Sequence, residues 1–229
     1  MSIFLQSLKE QGYLEQVHMT ICNVGSRKLS SQDDYASQDW KYFIPHLSIY
    51  GIDADADACE EANIELERQS INWTEKHVRL ALGESIKEST LHVTKDSMCS
   101  SLYPPNEPYL ARFQRLLELM SLELTVKIDI TTLDEFCKAE GINEIDFLQI
   151  DVQGAELDVL MGGAEILKQS VLAIQTEVEF SPLYVNQPLF ADVDTYLRRE
   201  SFTLFDLNFG HRQRVGSPIV STIRSGQLL

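Results

Sequence analysis

Three apolar segments of the chain each end in a small or acidic residue and then open into a helix-like stretch. They are Ile21–Gly25, Ile49–Asp55 and Ile145–Leu160. An open α/β sheet presents a ligand site in this way, because residues at the carboxyl ends of its parallel strands border one crevice. Carboxylates at such positions are costly for folding and useful for binding a polar cofactor. Asp53 and Asp151 close two of the segments, so the pattern indicates an enzyme.

Each candidate residue has a structural interpretation beside the functional one. A lone glycine after a strand, Gly25, allows a ligand to approach the backbone, but an ordinary turn explains it equally well. Asp53 lies where a Rossmann-type site places the acid that bonds ribose hydroxyls, or it merely starts the next helix. Asp151 is the first candidate for a general base or cofactor anchor, and Glu177 is the second. Glu156 falls in a first helical turn, where we expect a structural role.

Strands and helices alternate along the chain, and this order predicts a doubly wound, mostly parallel sheet covered on both faces. The last two predicted strands, Phe202–Leu207 and Ile219–Ile223, leave no room for a helix between them, so we expect an antiparallel hairpin at an edge. The earlier predicted strands are Thr20–Val24, Ser48–Asp53, Val78–Leu82, Thr90–Thr94, Thr125–Ile130, Ile145–Ile150 and Val171–Val178. The main predicted helices are Ala56–Gln69, Ala155–Lys168 and Ala191–Glu200.

Composition narrows the class of protein. The 229 residues are 44% hydrophobic, which suits one domain over residues 1–229, with residues 1–18 as an N-terminal helical extension. A formal net charge of -16 argues against nucleic acid and anionic membranes as partners. Charged residues such as Lys9 and Glu10 interrupt the N-terminus where a signal peptide is apolar, so we expect a soluble, cytoplasmic protein. The scattered cysteines and histidines predict no metal site.

The chain resembles the FkbM-type S-adenosylmethionine-dependent methyltransferases. The resemblance is densest in IDFLQIDVQGAELDVLMGGAEIL, LAIQTEVEFSPLY and PLFADVDTYLRRESFTLFDL, and the upstream pieces NVG, IYGIDAD and ALG fall in that family's order. It extends from about Met19 to Ile223. It implies the class I methyltransferase fold, a Rossmann-like sheet of seven strands with the last antiparallel, and S-adenosylmethionine as cofactor.

The resemblance also implies roles for individual residues. Gly25 would pass under the methionine part of the cofactor, Asp53 would hold the ribose hydroxyls, and Asp151 would stand near the transferred methyl group. Ala81 and Leu82 would flank the adenine. The full implied cofactor set is Asn23, Gly25, Asp53, Ala54, Ala81, Leu82, Ser101, Asp151 and Val152, and the implied catalytic pair is Asp151 and Glu177.

The implied reaction is O-methylation of a hydroxyl on a sugar or another small natural-product metabolite, in an oligomeric state that the sequence leaves open. A different class of function is a ligand- or partner-binding protein that retains the fold without turnover. It is motivated by the first loop, GSRKLSSQDD, which lacks the second glycine usual in the family. A nicotinamide-dependent oxidoreductase would need the GxGxxG fingerprint, which this chain does not contain.

Overall fold

The computed structural model describes residues 3–27, 39–216 and 227–228. The helices are α1 (Ile3–Glu10), α2 (Ala56–Gln69), α3 (Glu107–Leu110), α4 (Leu116–Met120), α5 (Leu133–Glu140), α6 (Glu156–Gly162), α7 (Ala164–Gln169) and α8 (Phe190–Arg199). The strands are β1 (Met19–Val24), β2 (Leu47–Asp53), β3 (Thr74–Arg79), β4 (Ala81–Leu82), β5 (Lys87–Thr94), β6 (Leu122–Thr131), β7 (Phe147–Ile150), β8 (Ala173–Thr176), β9 (His211–Arg212) and β10 (Gln227–Leu228).

The chain divides into two compact units. The first comprises Met1–Leu82, Leu133–Asp151 and Ala164–Gln175, and the second comprises Gly83–Thr132, Val152–Gly163 and Thr176–Leu229. That all 229 residues act as one domain stays a prediction. Within the described residues, no helix combines the length and the apolar character that crossing a bilayer requires.

A five-stranded sheet in the order β3-β2-β1-β7-β8 forms the centre of the first unit. The pairs β1–β2, β1–β7 and β2–β3 are parallel, and Val24 lies opposite both Ile52 and Ile150. Ile21, Ile52 and Leu148 are completely buried, as expected for strands covered on both faces. The predicted α/β class and the mostly parallel sheet are therefore confirmed, and the carboxyl ends of three neighbouring strands share one edge.

Two predicted elements are divided in the structure. The predicted strand Val78–Leu82 is interrupted, because β3 ends at Arg79 and the N–H of Leu80 then donates to the carbonyl of Asp53 at 2.9 Å. The predicted helix Ala155–Lys168 breaks between α6 and α7, at the glycine pair that ends α6. A Cβ on Gly162 would lie 2.1 Å from the carbonyl oxygen of Gly83, so this close packing requires glycine.

The second unit contains the antiparallel pair β5–β6 and a separate apolar cluster. The predicted loop between Lys95 and Pro108 contains a short 3-10 helix, Ser97–Cys99, and the beginning of α3. The apolar cluster packs α3 and α4 against the segment before α8, with Leu110, Phe113, Leu116, Met120, Leu183 and Tyr184 as its buried members.

One of the two predicted C-terminal strands is wrong, and the other is not tested. Phe202–Leu207 forms no strand, and Ile219–Ile223 lies outside the described residues. An antiparallel C-terminal pair does exist, but it joins β9 to β10 as a separate two-stranded sheet. Alternating apolar residues predict a strand only where one face is covered, and Phe205 is 100% exposed.

Candidate active site

The turn that follows β1 depends on Gly25, whose φ is +82°. A Cβ at this position would lie 1.8 Å from the carbonyl oxygen of Asp151, which no side chain could tolerate. The N–H groups of Gly25 and Ser26 donate to the Ile52 carbonyl at 2.8 and 3.1 Å, and the N–H of Asp151 donates to the Val24 carbonyl at 2.9 Å. The glycine therefore lets the carboxyl ends of β1, β2 and β7 meet.

Asp53, the last residue of β2, is held by the backbone around it. Its carboxylate accepts from the N–H of Asp55 at 2.8 Å. Burial raises the pKa of Asp53, and hydrogen bonds from the backbone of Asp55 and of Arg27 oppose that rise. Asp55 caps α2 by accepting from the N–H groups of Asp57 and Ala58, so Asp53 is not needed as the helix cap. The ribose role of Asp53 stays a prediction.

Four other predicted cofactor residues lie in the first unit. The Oδ1 atom of Asn23, on β1, is buried and has no hydrogen-bond partner among the described residues. Ala54 is half-buried in the bend between β2 and the α2 cap. Ala81 is half-buried and Leu82 is buried in β4, directly after the residue that bonds the Asp53 carbonyl. The structure therefore brings the segment before β4 to the end of β2, whereas adenine binding there stays a prediction.

Asp151 is exposed and is followed by a tight turn. Gln153 and Gly154 both have left-handed backbone conformations, with φ of +56° and +97°. The half-buried Val152 and the buried Gly154 donate their N–H groups to Oε1 of Glu156 at 3.0 and 3.1 Å. Glu156 thus has the structural role that its position predicts, because its side chain closes the turn after Asp151.

A pair of buried carboxyl groups lies behind this turn. Glu156 is 3% exposed and Glu179 is 6% exposed. Burial, and next the proximity of Glu179, raise the pKa of Glu156 to about 8. The pair does not indicate a metal site, since the described residues contain no group of three or more His, Cys, Asp or Glu side chains that could hold an ion.

Two more predicted site residues, Ser101 and Glu177, lie in the second unit. Ser101 is 1% exposed, and its hydroxyl accepts from the N–H of Tyr103 at 3.0 Å. Glu177 follows β8 and is exposed, and its carboxylate accepts from the side-chain amide of Gln153 at 2.9 Å. Cofactor binding by Ser101 and base catalysis by Glu177 stay predictions.

Sequence reasoning missed a buried polar chain formed by Ser26, His77 and Glu75. Oγ of Ser26 lies 3.3 Å from Nδ1 of His77, and Nε2 of His77 lies 3.2 Å from Oε1 of Glu75. The Nε1–H of Trp73 donates to the other oxygen of Glu75 at 2.8 Å. The sequence signal for this chain is weak. Ser26 lies in the polar loop GSRKLSSQDD and His77 lies in the polar run TEKHVR, so neither residue stands out as buried.

A family model described as the methyltransferase FkbM domain matches residues 32–204. The chain belongs to this family. The family that the sequence resembles is therefore confirmed. A 2-O-methyltransferase, NoeI, from Sinorhizobium fredii is 40% identical over 70 residues, which are 30% of this chain and 28% of that protein. The match thus spans little more than a quarter of that relative's length, and no solved structure matches the chain at a significant level.

The matched range includes most of the predicted site. Asp53, Asp151 and Glu177 lie inside it, together with Ala81–Leu82 and Ser101. Asn23 and Gly25 precede it, so the family match does not bear on these two residues.

Proposed function

We propose that the chain is an S-adenosylmethionine-dependent methyltransferase that methylates a hydroxyl group of a sugar or another small metabolite. The observation that carries this proposal is the approach of Gly25 to the Asp151 carbonyl beside the carboxylate of Asp53. It creates a glycine turn and an acid at the carboxyl ends of adjacent parallel strands, where open α/β sheets bind their ligands. The family membership supports methyl transfer as the chemistry.

The residues of the first unit fit such a cofactor. The buried Asn23 Oδ1 has no partner among the described residues and would accept from the amino group of the methionine part. Asp53 would accept from the ribose hydroxyls, because a carboxylate retains acceptor sites beyond its backbone hydrogen bonds. Gly25 would let the ends of β1 and β7 meet beside Asp53, at the edge of the sheet where the cofactor would lie. When bound, the cofactor supplies a methyl group made electrophilic by its sulfonium.

The protein must then orient the acceptor and remove its proton. Asp151 is our first candidate for the base, because its exposed carboxyl group follows the strand end that approaches Gly25. Glu177 is the second candidate, and its hydrogen bond with Gln153 links it to the turn after Asp151. The name of the relative, a 2-O-methyltransferase, supports a hydroxyl acceptor over a nitrogen or carbon acceptor.

Titration calorimetry with S-adenosylhomocysteine tests the cofactor assignment. We expect binding in the micromolar range for the wild-type protein. Asp53→Asn should weaken it by about 10- to 100-fold, the cost of losing hydrogen bonds to a charged acceptor. Asp57→Asn is the matched control, because Asp57 is an exposed acid in the first turn of α2 and removes the same charge. Equal effects of the two variants would mean that Asp53 acts on binding only through its charge at long range and does not contact the cofactor.

The wild-type titration also separates the two classes of function. Absence of heat with millimolar S-adenosylhomocysteine would favour a protein that retains the fold without cofactor-dependent turnover. The base assignment is tested by Asp151→Asn, which should lose methyl transfer to methyl glycosides even at S-adenosylmethionine concentrations that saturate the variant. Full turnover by this variant would remove Asp151 as the base and direct the same test to Glu177→Gln.

A further inference from the structure

We infer that Ser26, His77 and Glu75 form a brace that holds the turn after β1 in its cofactor-binding conformation, an inference that rests on the proposed function. The three residues come from two segments of the chain: Ser26 directly follows Gly25, while Glu75 and His77 are on β3.

The hydrogen bonds of the brace assign its protons. The Glu75 carboxylate accepts from Nε1–H of Trp73 and faces Nε2 of His77, so Nε2 carries a proton. In the neutral ring, Nδ1 then accepts from the hydroxyl of Ser26. The backbone of His77 is fixed separately, because its N–H and carbonyl both bond the side chain of Asn63, at 2.9 and 2.8 Å. Ser26 is therefore bonded to an imidazole that is itself held on two sides.

The order serine, histidine, glutamate is also that of a nucleophilic triad, but the packing excludes this chemistry. Ser26 is 4% exposed and His77 is 5% exposed, so no substrate carbonyl can reach the hydroxyl. A Cβ on Gly51 would lie 2.2 Å from Nδ1 of His77 and 2.8 Å from Oγ of Ser26. The space around the hydroxyl is thus filled by the protein's own backbone, and the chain of hydrogen bonds acts as a support.

Support at Ser26 reaches the predicted cofactor residues through the backbone. The N–H of Ser26 donates to the carbonyl of Ile52, the residue before Asp53. The backbone of the next residue, Arg27, hydrogen-bonds the carboxylate of Asp53. Fixing Ser26 therefore fixes both neighbours in the turn, Gly25 on one side and Arg27 on the other. Loss of the brace should loosen the turn and misplace Asp53.

The test combines two variants with two measurements. Ser26→Ala removes the hydroxyl, and Glu75→Gln weakens the brace one step further from the turn. We expect Ser26→Ala to weaken S-adenosylhomocysteine binding about tenfold, as for one net hydrogen bond. Glu75→Gln should give a smaller change in the same direction. Amide hydrogen exchange by NMR should become faster at Gly25 and Ser26 in both variants, since these N–H groups hold the turn to Ile52.

Asp146→Ala is the matched control for general destabilisation of the first unit. Asp146 accepts from the N–H of Thr20 at 2.8 Å, near the opposite end of β1. This variant should lower the free energy of unfolding and leave S-adenosylhomocysteine affinity unchanged. If it weakens binding as much as Ser26→Ala, or if Ser26→Ala and Glu75→Gln change neither measurement, the inference is overturned.

The two measurements also separate this inference from the proposed function. A wild-type protein that binds no S-adenosylhomocysteine overturns the proposed function. In that case, amide exchange at Gly25 and Ser26 tests only whether the brace holds the turn. Faster exchange in Ser26→Ala supports this role, and unchanged exchange overturns it. Faster exchange with unchanged affinity, in a wild-type protein that does bind, shows that the brace does not serve the cofactor.

Discussion

The turns that follow β1 and β7 are fixed by residues at very different distances along the chain. At the first turn, the hydroxyl of Ser26 bonds His77, 51 residues away. At the second turn, Glu156 accepts from the N–H of Gly154, two residues away, and from that of Val152, four residues away. The contacts of Glu156 with Val152 and Gly154, here called the local clasp, form together with the helix that carries Glu156. The brace at Ser26 forms only when the neighbouring strands are in place. The first turn should therefore be the more sensitive to changes in the core.

Gly25→Ala should produce the largest effect, because the new Cβ would lie 1.8 Å from the Asp151 carbonyl oxygen. Backbone must move to accommodate it, so we expect the free energy of unfolding to fall by more than about 4 kcal/mol or the protein to misfold. Gly141→Ala is the matched control, since Gly141 has a φ of +69° and no atom within 4 Å of the added Cβ.

Gly141→Ala should cost only about 1 kcal/mol, the price of a left-handed alanine. Urea unfolding of both variants measures the difference, which isolates the collision with Asp151. Similar losses in the two variants would contradict the close contact between Gly25 and the Asp151 carbonyl, on which the cofactor assignment rests.

Several features of the first turn and its surroundings follow from local sequence signals. Ala56–Gln69 is a helix over the predicted residues because Asp55 supplies the cap that its position indicates. Gly25 and Asp53 close their strands as the apolar runs predict. These features depend on neighbouring residues and on the known polarity of parallel strands, so one sequence is enough to place them.

Contacts between distant side chains could not be predicted in the same way. The pairing of Ser26 with His77 and of Glu156 with Glu179 depends on which positions of separate elements meet after folding. The failed strand at Phe202–Leu207 has the same origin, because its alternating apolar residues carry no information about whether a neighbour covers them.

Gly154→Ala should produce an intermediate effect and sharpen the comparison at the second turn. Gly154 has a φ of +97°, and an added Cβ would lie 3.1 Å from Cδ2 of Tyr184 and 3.3 Å from Nε2 of Gln187. These are side-chain neighbours that can shift by a few tenths of an ångström, unlike the backbone oxygen that faces Gly25. We expect a loss of about 2 kcal/mol in urea unfolding. A loss as large as that of Gly25→Ala would remove the distinction between the two turns.

Glu156→Gln should change the free energy of unfolding least near pH 5. As the pH rises, the variant should become increasingly more stable relative to the wild type. Burial and the nearby Glu179 raise the pKa of Glu156 to about 8, above its ordinary value of 4.5. Between these values the folded protein keeps a proton that the unfolded chain releases, so the contribution of this group to stability falls as the pH rises and levels off above about 8. Gln keeps an acceptor for the two N–H groups and does not titrate, so it should remove that fall.

Urea unfolding at pH 5, 6.5 and 8 measures the effect as the difference between variant and wild type at each pH. The other titratable groups around Glu156 are Glu179, Tyr184 and Tyr103, with Glu177 acting on Tyr184. Tyr184 and Tyr103 remain in both proteins, whereas the titration of Glu179 changes with the charge of Glu156, so the difference reports Glu156 and Glu179 together. Glu60→Gln, at an exposed position of α2, controls for the loss of one charge from an acidic protein. A Glu156→Gln difference that stays constant from pH 5 to 8 would contradict the raised pKa of Glu156. It would mean that the second turn is closed by a carboxylate that is already ionised at pH 5.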